Sequence, residues 1–192
     1  VLRFHVNKGF NLKTWNSAVE RLRLHGFRIK TYLLFKPPFM SEGDALDHSI
    51  RWINAVSPLS HEVSINPMNI QKRTIVDRLH RSREYRPPWL WSLVEMIRES
   101  HETISKGDTR VIVHPTAGGK IRGAHNCGSC DKDVVAAIER YSVSSDLDEF
   151  SNIHCSCKSI WHDEIRSDRA LPTQFGTGLS RRGNTERLLR AP

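Results

Sequence analysis

The sequence predicts an α/β protein: parallel strands alternating with helices, followed by a small four-cysteine metal module. Three observations lead there. Stretches with helical apolar spacing alternate with short apolar runs, the order of repeated αβ units around a parallel sheet. The run FRIKTYLLF, stopped by Pro37 and Pro38, is apolar almost without break, as a strand covered on both faces would be. The four cysteines fall in two close pairs in the last third of the chain.

Element by element, Leu12, Trp15, Val19, Leu22 and Leu24 keep helical spacing, and Gly26 is placed to end that helix as its C′ residue. The apolar strand follows. Ser41 is a natural N-cap for SEGDALDHSIRWINAVS, with Glu42 and Asp44 in the first turn where the helix dipole favours acids. HEVSINPMNI reads as a second strand closed by Pro67, and QKRTIVDRLHRSRE as a helix. Pro87 and Pro88 should open the next helix, with Trp89, Leu90, Leu93, Val94 and Ile97 facing inward. DTRVIVHPTAGG reads as a strand and turn, and DKDVVAAIERYS as a short amphipathic helix between the cysteine pairs. After about Arg166 the chain is rich in Arg, Gly and Thr without periodicity, which predicts a flexible tail. The expected organisation is an αβ part over 1–110, a metal module over 111–165 and a tail over 166–192.

Composition narrows the function classes. The 192 residues carry a net charge of +8, which favours a polyanion partner. No run of 18 apolar residues is present to span a membrane, and no signal peptide opens the chain. Four cysteines without a secretion signal suggest a cytoplasmic protein that uses them for metal or catalysis rather than disulfides. The chain begins at Val1, not Met, which reads as a fragment of something longer.

Cys127-Gly128-Ser129-Cys130 and Cys155-Ser156-Cys157 can each present two sulfurs from a tight turn, which suits a closed, structural Zn(Cys)4 site. An iron–sulfur cluster or free thiols are the rivals, and His125 or His154 could replace one ligand. In parallel sheets ligands gather at the carboxyl ends of the strands. Lys36 stands at one such end, placed to meet a carboxylate or phosphate or to end solvated. Asn66, Met68, Asn69 and Gln71 stand at the other, where amides could read a purine edge or a ribose, or simply form a turn. Lys72, Arg73, Arg78, His80, Arg81, Arg83 and Arg86, followed by Trp89 and Trp91, have the composition of an RNA-binding surface, or of a solvated helix face beside core tryptophans.

Several strings together carry a family resemblance: VNKGF, KTYLLFKPPFMSE, SINPMNIQKRTIVDRL, YRPPWLWSL, GAHNCGSCD and CSC. From about Asn7 to Trp161 the chain resembles the archaeal radical SAM (S-adenosylmethionine) enzymes of archaeosine synthesis, the RaSEA family, related to the radical SAM domain of the Elongator catalytic subunit. The resemblance implies the C-terminal part of a partial (β/α) barrel, a [4Fe–4S] cluster, SAM and a tRNA substrate. It implies C–N cleavage of a lysine-bearing 7-deazaguanine in the tRNA D-loop to give archaeosine, after a partner enzyme, archaeosine synthase, has attached the lysine. Lys36, Asn66 and Met68 would then wall the SAM pocket, and Lys72, Arg73, Arg81, Arg83 and Arg86 would serve tRNA. The family's CxxxCxxC-type cluster motif is absent from the 192 residues, so the cluster ligands would lie upstream of Val1 and this chain alone should not cleave SAM. A zinc-dependent RNA-binding module without catalysis, or a radical SAM tRNA enzyme acting on another base, would fit the same features.

Overall fold

The computed structural model describes residues 9–170. The elements are α1 (Leu12–Leu24), β1 (Lys30–Phe35), α2 (Glu42–Val56), β2 (Glu62–Pro67), α3 (Ile75–Arg81), α4 (Leu90–Ser105), β3 (Arg110–Val113), α5 (Asp131–Ser144) and α6 (Cys157–Ala170), with short 3-10 turns at Ser57–Leu59 and Leu147–Phe150. The three strands form one parallel sheet in the order β1-β2-β3.

Local chemistry sets the element ends. The Asn11 side chain caps α1 by accepting from the Thr14 N–H at 3.0 Å. At the other end Gly26, at φ +74°, lets its own N–H reach the Arg23 carbonyl and the Phe27 N–H reach that of Leu22, a Schellman ending. Ser41 caps α2 through the Asp44 N–H, and Thr74 caps α3 through the Asp77 N–H. Pro87 and Pro88 stop just short of α4, whose cap is Trp89. No side chain of its own caps α4; the Trp89 N–H goes instead to Glu42, on α2.

The sheet has two unlike faces. Leu33, Phe35, Val63, Ile65, Val111 and Val113 pack into one large core with the inner faces of α2, α4, α5 and α6. Tyr32, Leu34, Ser64, Asn66 and Ile112 point the other way and belong to neither apolar cluster of the protein. The expectation of a strand buried on both sides is therefore corrected: Tyr32 is 60% exposed. A short apolar run has no period from which to read its outward positions, and Tyr tolerates water at its hydroxyl end. The free edge of β3 is closed by α5, whose Ser142 Oγ accepts from the Val113 N–H at 3.0 Å and donates to its carbonyl at 3.2 Å. Among the described residues no strand pairs with the outer edge of β1.

Helix α6 falls where the sequence predicts the end of the metal module and the start of a flexible tail. It runs on past Arg166 to Ala170, and the remainder of the expected tail, 171–192, lies outside the described residues. It docks through one face: Trp161 and Ile165 enter the core, Glu164 accepts from the Trp89 indole at 2.8 Å, and Asp168 accepts from the Gly43 N–H at 2.9 Å. Among the described residues no helix is long and apolar enough to cross a membrane.

Candidate metal centre

The loop after β3 returns across the carboxyl end of the sheet and delivers Cys127 and Cys130. Gly128, at φ +94°, makes the turn between them, and Cys130 stands immediately before α5. Cys155 precedes α6, and Cys157 is that helix's first residue. The four sulfurs converge: 3.9 Å from Cys127 to Cys130, 3.6 Å from Cys127 to Cys155 and 3.6 Å from Cys130 to Cys157, with all four within 4.8 Å of one another. A tetrahedron of thiolates about 2.3 Å from one zinc ion has edges of about 3.8 Å. The cage therefore has the size for one ion such as zinc. A cubane cluster carries four irons inside its thiolate shell and needs a wider cage, so these residues do not fit it.

Electrostatics divides the site. The N–H groups of Ser129 and Cys130 point at the Cys127 sulfur and hold its thiol down at about 6. Burial pushes the Cys130 and Cys157 thiols up, as two closely packed sulfurs in an apolar setting would be without a cation. Their surroundings offer donors: the Trp91 indole N–H to the Cys157 sulfur at 3.2 Å and the Asn126 amide to the Cys130 sulfur at 3.4 Å. Asn126 is itself fixed, its side-chain oxygen accepting from the Trp91 N–H and its own N–H bound by Asp131. His125 bonds the Gly123 carbonyl, and neither it nor His154 joins the sulfur group.

The strand-end residues separate. Lys36 is 5% exposed, and its ammonium lies 2.6 Å from a Glu42 carboxylate oxygen. The other oxygen of Glu42 accepts from the Trp89 N–H at 2.9 Å and from the Ser92 hydroxyl at 2.5 Å, and Ser92 accepts from the Trp161 indole. The Tyr85 hydroxyl donates to the Lys36 carbonyl, holding a backbone at φ +51° that lysine rarely adopts. Lys36 thus reaches into the packed side of the sheet, while Asn66 belongs to the opposite face. Met68 packs with Ile70, Val76 and Tyr85 under α3.

Lys72, Arg73, Arg81 and Arg83 are exposed around α3. Arg86 is engaged inward: its guanidinium stacks on Trp89 at 3.9 Å and donates to the His125 carbonyl at 2.9 Å, bracing the loop that carries Cys127. Asp77 organises the basic surface. It accepts from Arg122 at 2.7 Å, Arg81 at 3.0 Å and the Arg73 N–H at 3.0 Å, and these donors, Arg122 first, hold its carboxyl down at about 2. Glu42, Asn126, Asp131 and Arg122 carry no spacing signal, because their roles depend on a partner remote in sequence or on loop packing; Asp77 shows one only in its pair with Arg81 four residues on, while its bond to Arg122 is remote.

Two relatives decide what this constellation is similar to. The chain is 34% identical over 161 residues to archaeosine synthase subunit beta of Methanosarcina acetivorans, covering 84% of this chain and 46% of that protein. It resembles archaeosine synthase subunit beta. The subunit of that name from Thermococcus kodakarensis is 36% identical over 157 residues, covering 81% of this chain and 48% of the relative. An uncharacterised protein of Methanocaldococcus jannaschii is 32% identical over 164 residues, covering 83% and 44%. The chain spans about half the length of the curated relatives it matches. No family model and no solved structure matches it.

Proposed function

We propose that the protein works in archaeosine biosynthesis as part of a radical SAM tRNA-modifying lyase, in which the 9–170 region forms part of a partial (β/α) barrel pinned by a structural zinc. The similarity to two archaeosine synthase beta subunits over four-fifths of the chain carries this reading. In it the chain assembles with another archaeosine synthase subunit and acts on a lysine-bearing 7-deazaguanine of tRNA.

The residues take these parts. Cys127, Cys130, Cys155 and Cys157 hold zinc, which would supply a fixed tetrahedral crosslink with no open position and so no chemistry of its own. Lys72, Arg73, Arg81 and Arg83 contact tRNA phosphates. Arg86 keeps the metal loop against α4 beside that surface. Asn66 and Met68 line the strand-end site, and Lys36 supports it by fixing the β1–α2 turn through Glu42. The sulfur cage is too small for the [4Fe–4S] cluster, so no step through that cluster is assigned to these residues.

Metal analysis and tRNA binding test the reading together. The purified chain should hold one zinc and bind tRNA with an affinity that falls steeply with salt. A preparation without zinc, or tRNA binding indifferent to salt, would refute it.

A further inference from the structure

The sulfur cage has an inner and an outer edge. Cys130 and Cys157 form the inner one. Both are buried at the starts of helices, Cys130 as the residue before α5 and Cys157 as the first of α6, and the Asn126 amide and the Trp91 indole bond their sulfurs. Cys127 and Cys155 form the outer edge. Cys127 is exposed, Cys155 is half-buried, and neither belongs to a helix or strand. The turn that carries Cys127 is open: a Cβ at Gly128 would meet, beyond its chain neighbours, only an Asp131 carboxylate oxygen at 3.9 Å. The sulfurs of the outer pair lie 3.6 Å apart, and those of the inner pair are equally close. Distance therefore does not separate the two pairs; access and backbone setting do.

Zinc has no redox chemistry, so in such a cage any electron given up comes from sulfur. A small oxidant arriving from water meets the Cys127 sulfur first, because the inner sulfurs lie behind it under the helix starts. A sulfenic acid formed there has a second thiolate, that of Cys155, within contact on the same open edge, and a neighbouring thiol turns such an acid into a disulfide before further oxidation makes the damage permanent. Both residues sit in loops, so their sulfurs can close together without unwinding a helix. The inner pair would have to distort the first turns of α5 and α6 and give up the bonds from Asn126 and Trp91.

We infer that Cys127 and Cys155 are an oxidation site, at which a peroxide closes a disulfide and opens the metal cage. The Cys127 thiolate attacks a peroxide oxygen, the O–O bond breaks, and the leaving hydroxide takes a proton to become water; the sulfur is oxidised to a sulfenic acid and the peroxide is reduced. The Cys155 thiolate then attacks that sulfur, the S–S bond forms, the S–O bond breaks, and a second hydroxide leaves as water. Two thiolates, one hydrogen peroxide and two protons give one disulfide and two waters. Of the four thiolates that hold the ion, only those of Cys130 and Cys157 remain, too few to close the site. Opening the cage unpins the start of α6, so the oxidation is felt at Trp161 and Ile165 in the core. A dithiol reductant reverses the step by thiol–disulfide exchange. The inference rests on the zinc of the proposed function for the metal that is released.

Peroxide titration of the whole chain tests it. Zinc is counted first, reductant is removed, and hydrogen peroxide is added in less than stoichiometric steps. A chromophoric chelator reads the zinc set free, and alkylation with peptide mass mapping reads the thiols. The first disulfide should join Cys127 to Cys155 while Cys130 and Cys157 are still alkylated as thiols. One zinc should leave for each disulfide formed, Tm should fall as far as it does with chelator, and dithiothreitol with added zinc should restore both metal and Tm. A first disulfide that includes Cys130 or Cys157 overturns the inference. So does zinc retained after the Cys127–Cys155 disulfide has closed, or four intact thiols at a peroxide dose that oxidises free cysteine. A chain purified without zinc refutes the zinc of the proposed function instead, and its first disulfide still decides the oxidation site.

Discussion

Replacing Cys157 by serine tests how much of the fold hangs on the metal centre. Cys157 is the first residue of α6, buried, with its sulfur bonded by Trp91. A lost ligand opens the cage and frees the start of the helix. Trp161 and Ile165 then lose their lock, and burial of two such side chains is worth about 3–6 kcal/mol. The bonds of Trp161 to Ser92, of Trp89 to Glu164 and of Gly43 to Asp168 add about 1 kcal/mol each. The ordering entropy recovered by a freed helix offsets part of this sum. A net loss of about 4 kcal/mol is expected, a large share of the roughly 5–15 kcal/mol that holds a domain. In a chain of this size that lowers Tm by about 8–16 °C. Calorimetry with and without chelator is the assay. Chelator should lower Tm of the parent by a similar amount and do little more to Cys157→Ser, because both remove one crosslink. A variant that keeps its metal and melts within about 2 °C of the parent would refute the reasoning.

Three further outcomes follow from the same structure. Glu42→Gln leaves the Lys36 ammonium buried opposite a neutral amide and should cost about 3–5 kcal/mol by urea titration, while Lys36→Met with Glu42→Gln should recover part of it; equal losses in both would argue against the pair. Asp77 has a folded pKa of about 2, below its ordinary 3.8, so its contribution is complete above about pH 4 and fades as pH falls toward 2. Acid unfolding of Asp77→Asn should lose that part of the pH dependence, and an unaltered acid profile would count against the Arg122 clamp. Alanine at Lys72, Arg73, Arg81 or Arg83 should reduce the salt slope of tRNA binding by somewhat under one per residue, whereas Arg86→Ala should lower Tm and barely change the slope, its guanidinium being engaged with the metal loop.

The local features were legible in the sequence, and the remote ones were not. Ser41 as a cap and Gly26 as a helix end could be read because each works on backbone groups within a few residues. The cysteine pairs could be read for the same reason, since each needs only a short turn to bring two sulfurs together. Glu42 shows the limit. Its place in the first turn of α2 is that of a surface acid facing a helix dipole, yet it is the buried hub for Lys36, Trp89 and Ser92, partners up to 50 residues away. Helix α6 hid behind a polar sequence in which only Trp161 and Ile165 mark the inner face. The unlike faces of the sheet were hidden because a run such as Tyr32-Leu33-Leu34-Phe35 is apolar on both sides.

The bond from Gly43 to Asp168 joins residues 125 positions apart. A ribosome delivers α2 long before it delivers the carboxylate that completes its first turn. The N-terminal end of α2 and the indole of Trp89 therefore wait on the last described helix, which Cys157 itself begins. A nascent chain halted before residue 157 would display Trp89, Trp91 and the Lys36–Glu42 pair without their cover. Such a chain is a natural client for chaperones and proteases, so with zinc held as proposed the supply of metal during synthesis would bear on how much protein accumulates.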